Sequence, residues 1–254
     1  MKYRMLGTLE VCRDGARVPL GGPRQRVVLA ALLVRAGRVA TVDYLAHAVW
    51  ERPPASLRAN LRTYVAGLRR ALGDAIVSHP EGYELRVRPE DFDLAVFEQS
   101  RQRGLRAEHD HDYPTAADNY GHALAMWRGN VLDGLRLTGP ALLAEAVAIE
   151  ERRLATVERS VEARLLAGRH TDAVGDLYRL VAEHPQREVF WAQLMRGLHA
   201  TGRQAEALTA YRRARAFCVA ELGVEPGRAL RRIHRAVLDG TLCAEPVHDL
   251  YTTP

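Results

Sequence analysis

The segment Ser56 to Gly73, SLRANLRTYVAGLRRALG, concentrates side chains suited to nucleic-acid chemistry. The amide of Asn60 can pair with adenine N6 and N7, and the methyl of Thr63 can pack on thymine. The guanidinium groups of Arg58, Arg62, Arg69 and Arg70 suit phosphate oxygens, and Arg62 or Arg70 can also reach a guanine. Wound as a helix at about 100° per residue, Leu57, Leu61, Val65, Leu68 and Leu72 share one apolar face. Arg58, Arg62 and Arg69 then line a flank. Ala59, Asn60, Thr63, Gly67 and Arg70 face away from the core, and Tyr64 can clamp or read. Alone, such a segment is an ordinary surface helix with solvated arginines, so its neighbours must decide.

Upstream, Pro23 to Ala36 and Asp43 to Trp50 read as helices separated by the β-leaning Arg38-Val39-Ala40-Thr41. Downstream, Ala75 to Ser78, a turn at His79-Pro80-Glu81-Gly82 and the alternating Tyr83 to Val87 read as a hairpin. Three helices and a hairpin describe a winged helix, whose third helix enters the major groove while the hairpin lies along the adjoining backbone. Arg24, Gln25 and Arg26 open the first helix, where free N–H groups favour an anion, and Thr41 precedes the second. All four are candidate phosphate contacts and equally capping or solvated groups. His79 is the expected wing contact.

Charge agrees with that partner. Residues 1–90 hold fifteen Lys or Arg against eight Asp or Glu, a formal +7, whereas residues 91–254 hold twenty-one against twenty-three, or −2. A basic module joined to a near-neutral one fits a polyanion-binding domain with a second domain for another task. No long apolar run or signal-like start is present, so the chain reads as soluble and cytoplasmic, with no membrane partner. Cys12, Cys218 and Cys243 are scattered and odd in number, which implies neither a disulfide framework nor a zinc finger. No phosphate-binding loop, zinc-protease motif or nucleophile elbow occurs, so no enzyme activity and no cofactor is expected. His109-Asp110-His111-Asp112 is the one metal-like cluster; it falls at an apparent inter-helix turn and reads as solvated, leaving no metal site.

Beyond Pro89-Glu90-Asp91 the chain is all helix: Leu94 to Arg106, Thr115 to Trp127, Pro140 to Leu166, Thr171 to Glu183, Glu188 to Ala200, Gln204 to Glu221 and Gly227 to Leu238. Gly168-Arg169 and Gly202-Arg203 lie 34 residues apart, as do Ala173 and Ala207, and Leu177 and Tyr211. That is the tetratricopeptide period, in which helix pairs too small to bury their own apolar faces stack on the next pair. Ala116, Tyr120 and Ala123 echo Ala207, Tyr211 and Ala214 as a further degenerate repeat. Most of Tyr178, Trp191, Tyr211 and Phe217 are expected in the core. The fold class is therefore mixed: an α+β winged helix with small sheets, then an all-α tetratricopeptide-like domain. Expected boundaries are 1–90, 91–240 and a tail at 241–254.

At the N-terminus, Tyr3 to Val11 and Ala16 to Leu20 read as strands around an Arg13-Asp14-Gly15 turn. MKYRMLGTLEV, RDG, LGGPRQRVVLAALLVRAGRV, VDYLAHAVW, PPAS, LRTYVAGLRRALG and EGYELRV follow in an order that resembles the Streptomyces antibiotic regulatory protein family. The first part is similar to OmpR/PhoB-type effector domains and the remainder to the bacterial transcriptional activation domain. The resemblance implies an activator of a secondary-metabolite gene cluster that binds promoter direct repeats as two protomers. It also implies that Glu51-Arg52-Pro53-Pro54-Ala55, otherwise a simple connector, touches RNA polymerase holoenzyme near its sigma subunit. Relatives of this fold often carry Arg where Gly67 and Glu84 stand, so this chain departs from the pattern at both positions. Two other classes are weighed against this one: a repeat-based adaptor whose arginines are merely solvated, and an enzyme with an unrecognised site.

Overall fold

The computed structural model describes residues 1–242; Cys243 and the remainder of the expected tail lie outside the described residues. The chain divides into two compact units, Met1–Arg101 with His122–Leu154, and Gln102–Gly121 with Ala155 onward.

The first unit opens with an antiparallel sheet of β1 (Lys2–Arg4), β2 (Glu10–Arg13) and β3 (Ala16–Arg17), in that order. The single strand expected from Tyr3 to Val11 is instead two strands with a reversal between them. Met5 and Leu6, adjacent and both fully buried, break the alternation a strand requires, and Gly7 turns the chain at φ +136°. The carboxylate of Asp93 holds this reversal: it accepts the N–H of Met5 at 2.9 Å and of Leu6 at 3.0 Å, with Arg128 at 3.1 Å. Burial pushes the Asp93 carboxyl up, while the backbone donors and Arg128 pull the other way. Asp14 and Gly15 form the expected β2–β3 turn, both with positive φ.

Nearby, Asp91 is held down at about 2 by Lys2 at 2.8 Å and then by Arg88 at 2.6 Å. A carboxylate depressed by folding stabilises the protein above its ordinary pKa of 3.8 and loses that contribution as pH falls towards 2. Asp91→Asn is therefore expected to melt below the parent at neutral pH, with the two melting curves converging as the buffer approaches pH 2. A constant gap across that window would refute the linkage.

The winged-helix core is built from α1 (Pro23–Val34), β4 (Val39–Thr41), α2 (Val42–Val49), α3 (Leu57–Leu72), β5 (Ile76–His79) and β6 (Gly82–Leu85). Residues Val27 to Leu33 of α1 are all buried, so this helix is apolar all round because α2, α3 and β6 surround it. Leu61, Val65, Leu68 and Leu72 of α3 enter the same core, as their spacing predicts. The second sheet has the antiparallel order β4-β6-β5.

The helices that follow are α4 (Asp93–His109), α5 (Tyr113–Leu124), α6 (Pro140–Leu166), α7 (His170–Glu183), α8 (Glu188–Ala200), α9 (Gln204–Phe217) and α10 (Arg228–Asp239). The helix expected to run from Gln204 to Glu221 widens into a π turn at Cys218–Leu222. The 34-residue period is realised in the backbone. Gly168 and Gly202 adopt φ +77° and +76°, and Arg169 and Arg203 donate to the carbonyls of Arg164 and Leu198, both at 2.8 Å. Ala173 and Ala207 are sealed at matching positions.

Of the four aromatic residues expected in the core, only Trp191 is buried; Tyr211 and Phe217 are half-buried and Tyr178 is 37% exposed. Polar partners explain two of these. The Tyr178 hydroxyl donates to Glu206 at 3.0 Å, and Tyr211 stacks on His234 with centroids 3.7 Å apart. Within the second unit Glu162 and Arg196 form an ion pair whose side chains are only 6% and 9% exposed. Gln193 donates to Glu162 at 3.2 Å and to the Glu158 carbonyl at 2.8 Å.

Candidate nucleic-acid interface

On α3 the Leu/Val stripe is pinned to the core, so the opposite side is presented outward. Arg58, Ala59, Arg62, Thr63, Ala66 and Arg70 are exposed. Arg58 and Arg62, one turn apart, line a cleft of about 220 Å³ with Val42, Ser78, His79, Pro80 and Tyr83. Of the hairpin residues of this cleft, His79 is the one the sequence points to; Ser78, Pro80 and Tyr83 escape it, because only the strand register that pairs His79 with Gly82 brings them to the helix. Thr63 donates its hydroxyl to the Ala59 carbonyl at 3.1 Å, leaving the methyl as its free group. Asn60 is half-buried and donates one of its two amide N–H groups to the Ser56 hydroxyl at 3.1 Å.

Three positions differ from the helical wheel. Gly67, expected to face away from the core, is buried: a Cβ there would lie 2.6 Å from Nε2 of Gln25. The Gln25 amide also closes on Gly21, so it fills a gap between α1 and α3 that the two glycines leave. An arginine at position 67 would need that space. Arg69 is tied inward, with Nε on the Ile76 carbonyl at 3.1 Å and Nη2 on the Ser78 hydroxyl at 2.7 Å. Tyr64 is half-buried against Trp50, with ring centroids 6.3 Å apart, and docks the helix.

Because the obstacle at Gly67 is the end of a flexible side chain, Gly67→Ala is expected to be nearly neutral. Helix propensity gains about 1 kcal/mol and displacement of Gln25 offsets it. A loss above about 2 kcal/mol in urea unfolding would show that the amide cannot swing away.

His79 is not a free wing tip. Its Nε2 sits 3.0 Å from Glu84, and Arg86 reaches the other oxygen at 3.4 Å. The hydrogen bond from His79, then that from Arg86, hold the Glu84 carboxyl below its ordinary range. Thr41 is the N-cap of α2, accepting the Tyr44 N–H at 3.1 Å. Gly22 caps α1 with no side-chain bond, so the exposed Arg24 adjoins a helix N-terminus without a side-chain cap, while Arg26 donates to the Gly21 carbonyl at 3.2 Å. Glu51, Arg52 and Ala55 are exposed and Pro53 and Pro54 half-buried in an irregular loop, where the Pro54 carbonyl accepts the N–H of Leu57. Among the described residues no group of three potential metal ligands is found, and no helix is long and apolar enough to cross a membrane.

A helical core with an outward third helix, a β-hairpin wing and helical repeats after it defines a DNA-binding transcriptional regulator. Residues 16–84 match the C-terminal domain of transcriptional regulatory proteins, and residues 92–238 match the bacterial transcriptional activator domain. Transcriptional regulatory protein MoaR1 of Mycobacterium tuberculosis is 37% identical over 247 residues, spanning 94% of this chain and 79% of that protein. Regulatory protein DnrI of Streptomyces peucetius is 35% identical over 251 residues, spanning 94% and 92%. The structure of Mycobacterium tuberculosis EmbR in complex with a low-affinity phosphopeptide superposes with a TM-score of 0.90 at 33% identity, covering 99% of this chain and 68% of that one. The chain belongs to the Streptomyces antibiotic regulatory protein family of transcriptional regulators.

Proposed function

We propose that the chain activates a secondary-metabolite gene cluster from the cytoplasm by binding direct repeats in its promoters as two protomers and recruiting RNA polymerase holoenzyme. The observation that carries this reading is the exposed Arg58, Arg62, Thr63 and Arg70 face of α3 beside the hairpin cleft. Arg58, Arg62 and Arg70 hold phosphates, aided by Arg24 and Arg26 near the start of α1, while Thr63 and Asn60 meet base edges. Gln25, Tyr64, Gly67 and Arg69 set the pose of α3, and Thr41 and His79 fix the ends of α2 and the wing before any phosphate contact. Two protomers on direct repeats one or two helical turns apart meet the same face of the duplex. The Glu51–Ala55 loop is then offered to polymerase near sigma, a role supported by family membership.

Footprinting on promoters of the neighbouring biosynthetic genes, together with transcript levels in a deletion strain, tests the proposal; no footprint and unchanged transcripts would end it. Arg62→Ala is expected to weaken binding to every sequence and to reduce the slope of log K against log salt by about 0.9. Asn60→Ala should instead relax discrimination at one base pair by about 1–3 kcal/mol. Binding that ignores salt would favour the adaptor reading, in which the arginines are only solvated.

A further inference from the structure

The second unit contains a cleft of about 270 Å³ whose lining shares no residue with the candidate nucleic-acid interface. Its walls are Leu165, Leu166 and Gly168 at the end of α6, His170 at the start of α7, Arg196, His199 and Ala200 at the end of α8, and Leu242. The leucines and Ala200 supply an apolar body. The polar side chains of the lining are one guanidinium and two imidazoles, and no carboxylate is among them. The Nδ1 atoms of His170 and His199 are buried without a hydrogen-bond partner. A buried N–H lacking an acceptor is unfavourable, so the tautomer with its proton on Nε2 is the favoured one for each ring, and Nε2 is the nitrogen left to donate to a ligand. Arg196 commits Nη1 to Glu162, which fixes its guanidinium at the wall. His170 also opens α7, a helix of fourteen residues whose N-cap makes no side-chain bond, so the positive end of the helix adjoins the cleft.

Apolar walls joined to polar groups that only donate are complementary to a small acid with a hydrocarbon body. We propose that this cleft is an effector site for a small amphipathic carboxylate. His170 and His199 donate to the carboxylate, the N-terminal end of α7 adds positive potential, and Leu165, Leu166 and Leu242 enclose the chain.

The test is calorimetric titration of the full protein with octanoate, with octan-1-ol and octylamine as neutral and cationic probes of the same length. Saturable binding of octanoate, at least ten-fold tighter than either control, is expected. His170→Phe and His199→Phe keep ring size and remove the donors, and each should weaken octanoate at least ten-fold. Leu166→Glu places a carboxylate at a half-buried, helix-terminal position and should abolish binding with the helical circular dichroism retained. Absence of saturable heat, equal affinity for the alcohol, or unchanged binding by all three folded variants would overturn the proposal. DNA binding by the same preparations reports separately on the winged helix, so failure of one reading leaves the other standing.

Discussion

Glu162→Ala is expected to lower the unfolding free energy by about 3–5 kcal/mol, because it strands the Arg196 guanidinium with its side chain only 9% exposed. Gln193 loses an acceptor in the same step, having donated to Glu162 at 3.2 Å. Domains are stable by only about 5–15 kcal/mol, so the variant should lose a large part of its margin. Urea unfolding followed by circular dichroism measures the loss, and a second comparison separates charge from volume. Glu162→Leu combined with Arg196→Met removes both ions and fills the space, and it should recover most of the deficit. A single variant within about 1 kcal/mol of the parent would mean that water reaches Arg196 as readily as a surface arginine.

Gly82→Ala is the second large effect, about 3 kcal/mol or more. A Cβ at this position would lie 2.0 Å from the carbonyl oxygen of Ala40 and 2.8 Å from its carbon, and neither is a side chain that can swing aside. Ala40 belongs to β4, which pairs with β6 in the register Ala40↔Tyr83 and Thr41↔Gly82, so relief requires the strands to part. Because the cleft contains both Tyr83 and Gly82, the same substitution should also reduce DNA affinity. A thermal melt within a degree or two of the parent would contradict the close approach of β4 and β6. The contrast with Gly67→Ala is a matter of neighbours: backbone surrounds one glycine, and a pliant amide covers the other.

That contrast also marks where the sequence was readable. The stripe Leu61, Val65, Leu68 and Leu72 was legible because one helix face docks on one core, and period 3.6 records such burial. The 34-residue repeat was legible because the same left-handed turn recurs at Gly168 and Gly202. Gly67 was not, since the wheel turns its position away from the core and its burial depends on Gln25 from another helix. Arg69 likewise read as a phosphate clamp and His79 as a wing contact because their partners, the Ile76 carbonyl, Ser78 and Glu84, arrive through the folded hairpin. The reversal at Gly7 depended on Asp93, far along the chain. Spacing reports the surroundings of one element, whereas these contacts belong to pairs of elements.

The two bonds from Arg69 to β5 have a consequence for how the protein meets DNA. They strap α3 to the hairpin before any duplex arrives, so the rotational and side-chain freedom that an unstrapped wing would surrender on binding is already lost during folding. Association then resembles the seating of one preshaped body. Cutting the strap with Arg69→Ala would leave Arg58, Arg62 and Arg70 in place and, on the proposed phosphate role of these side chains, make their grip entropically weaker.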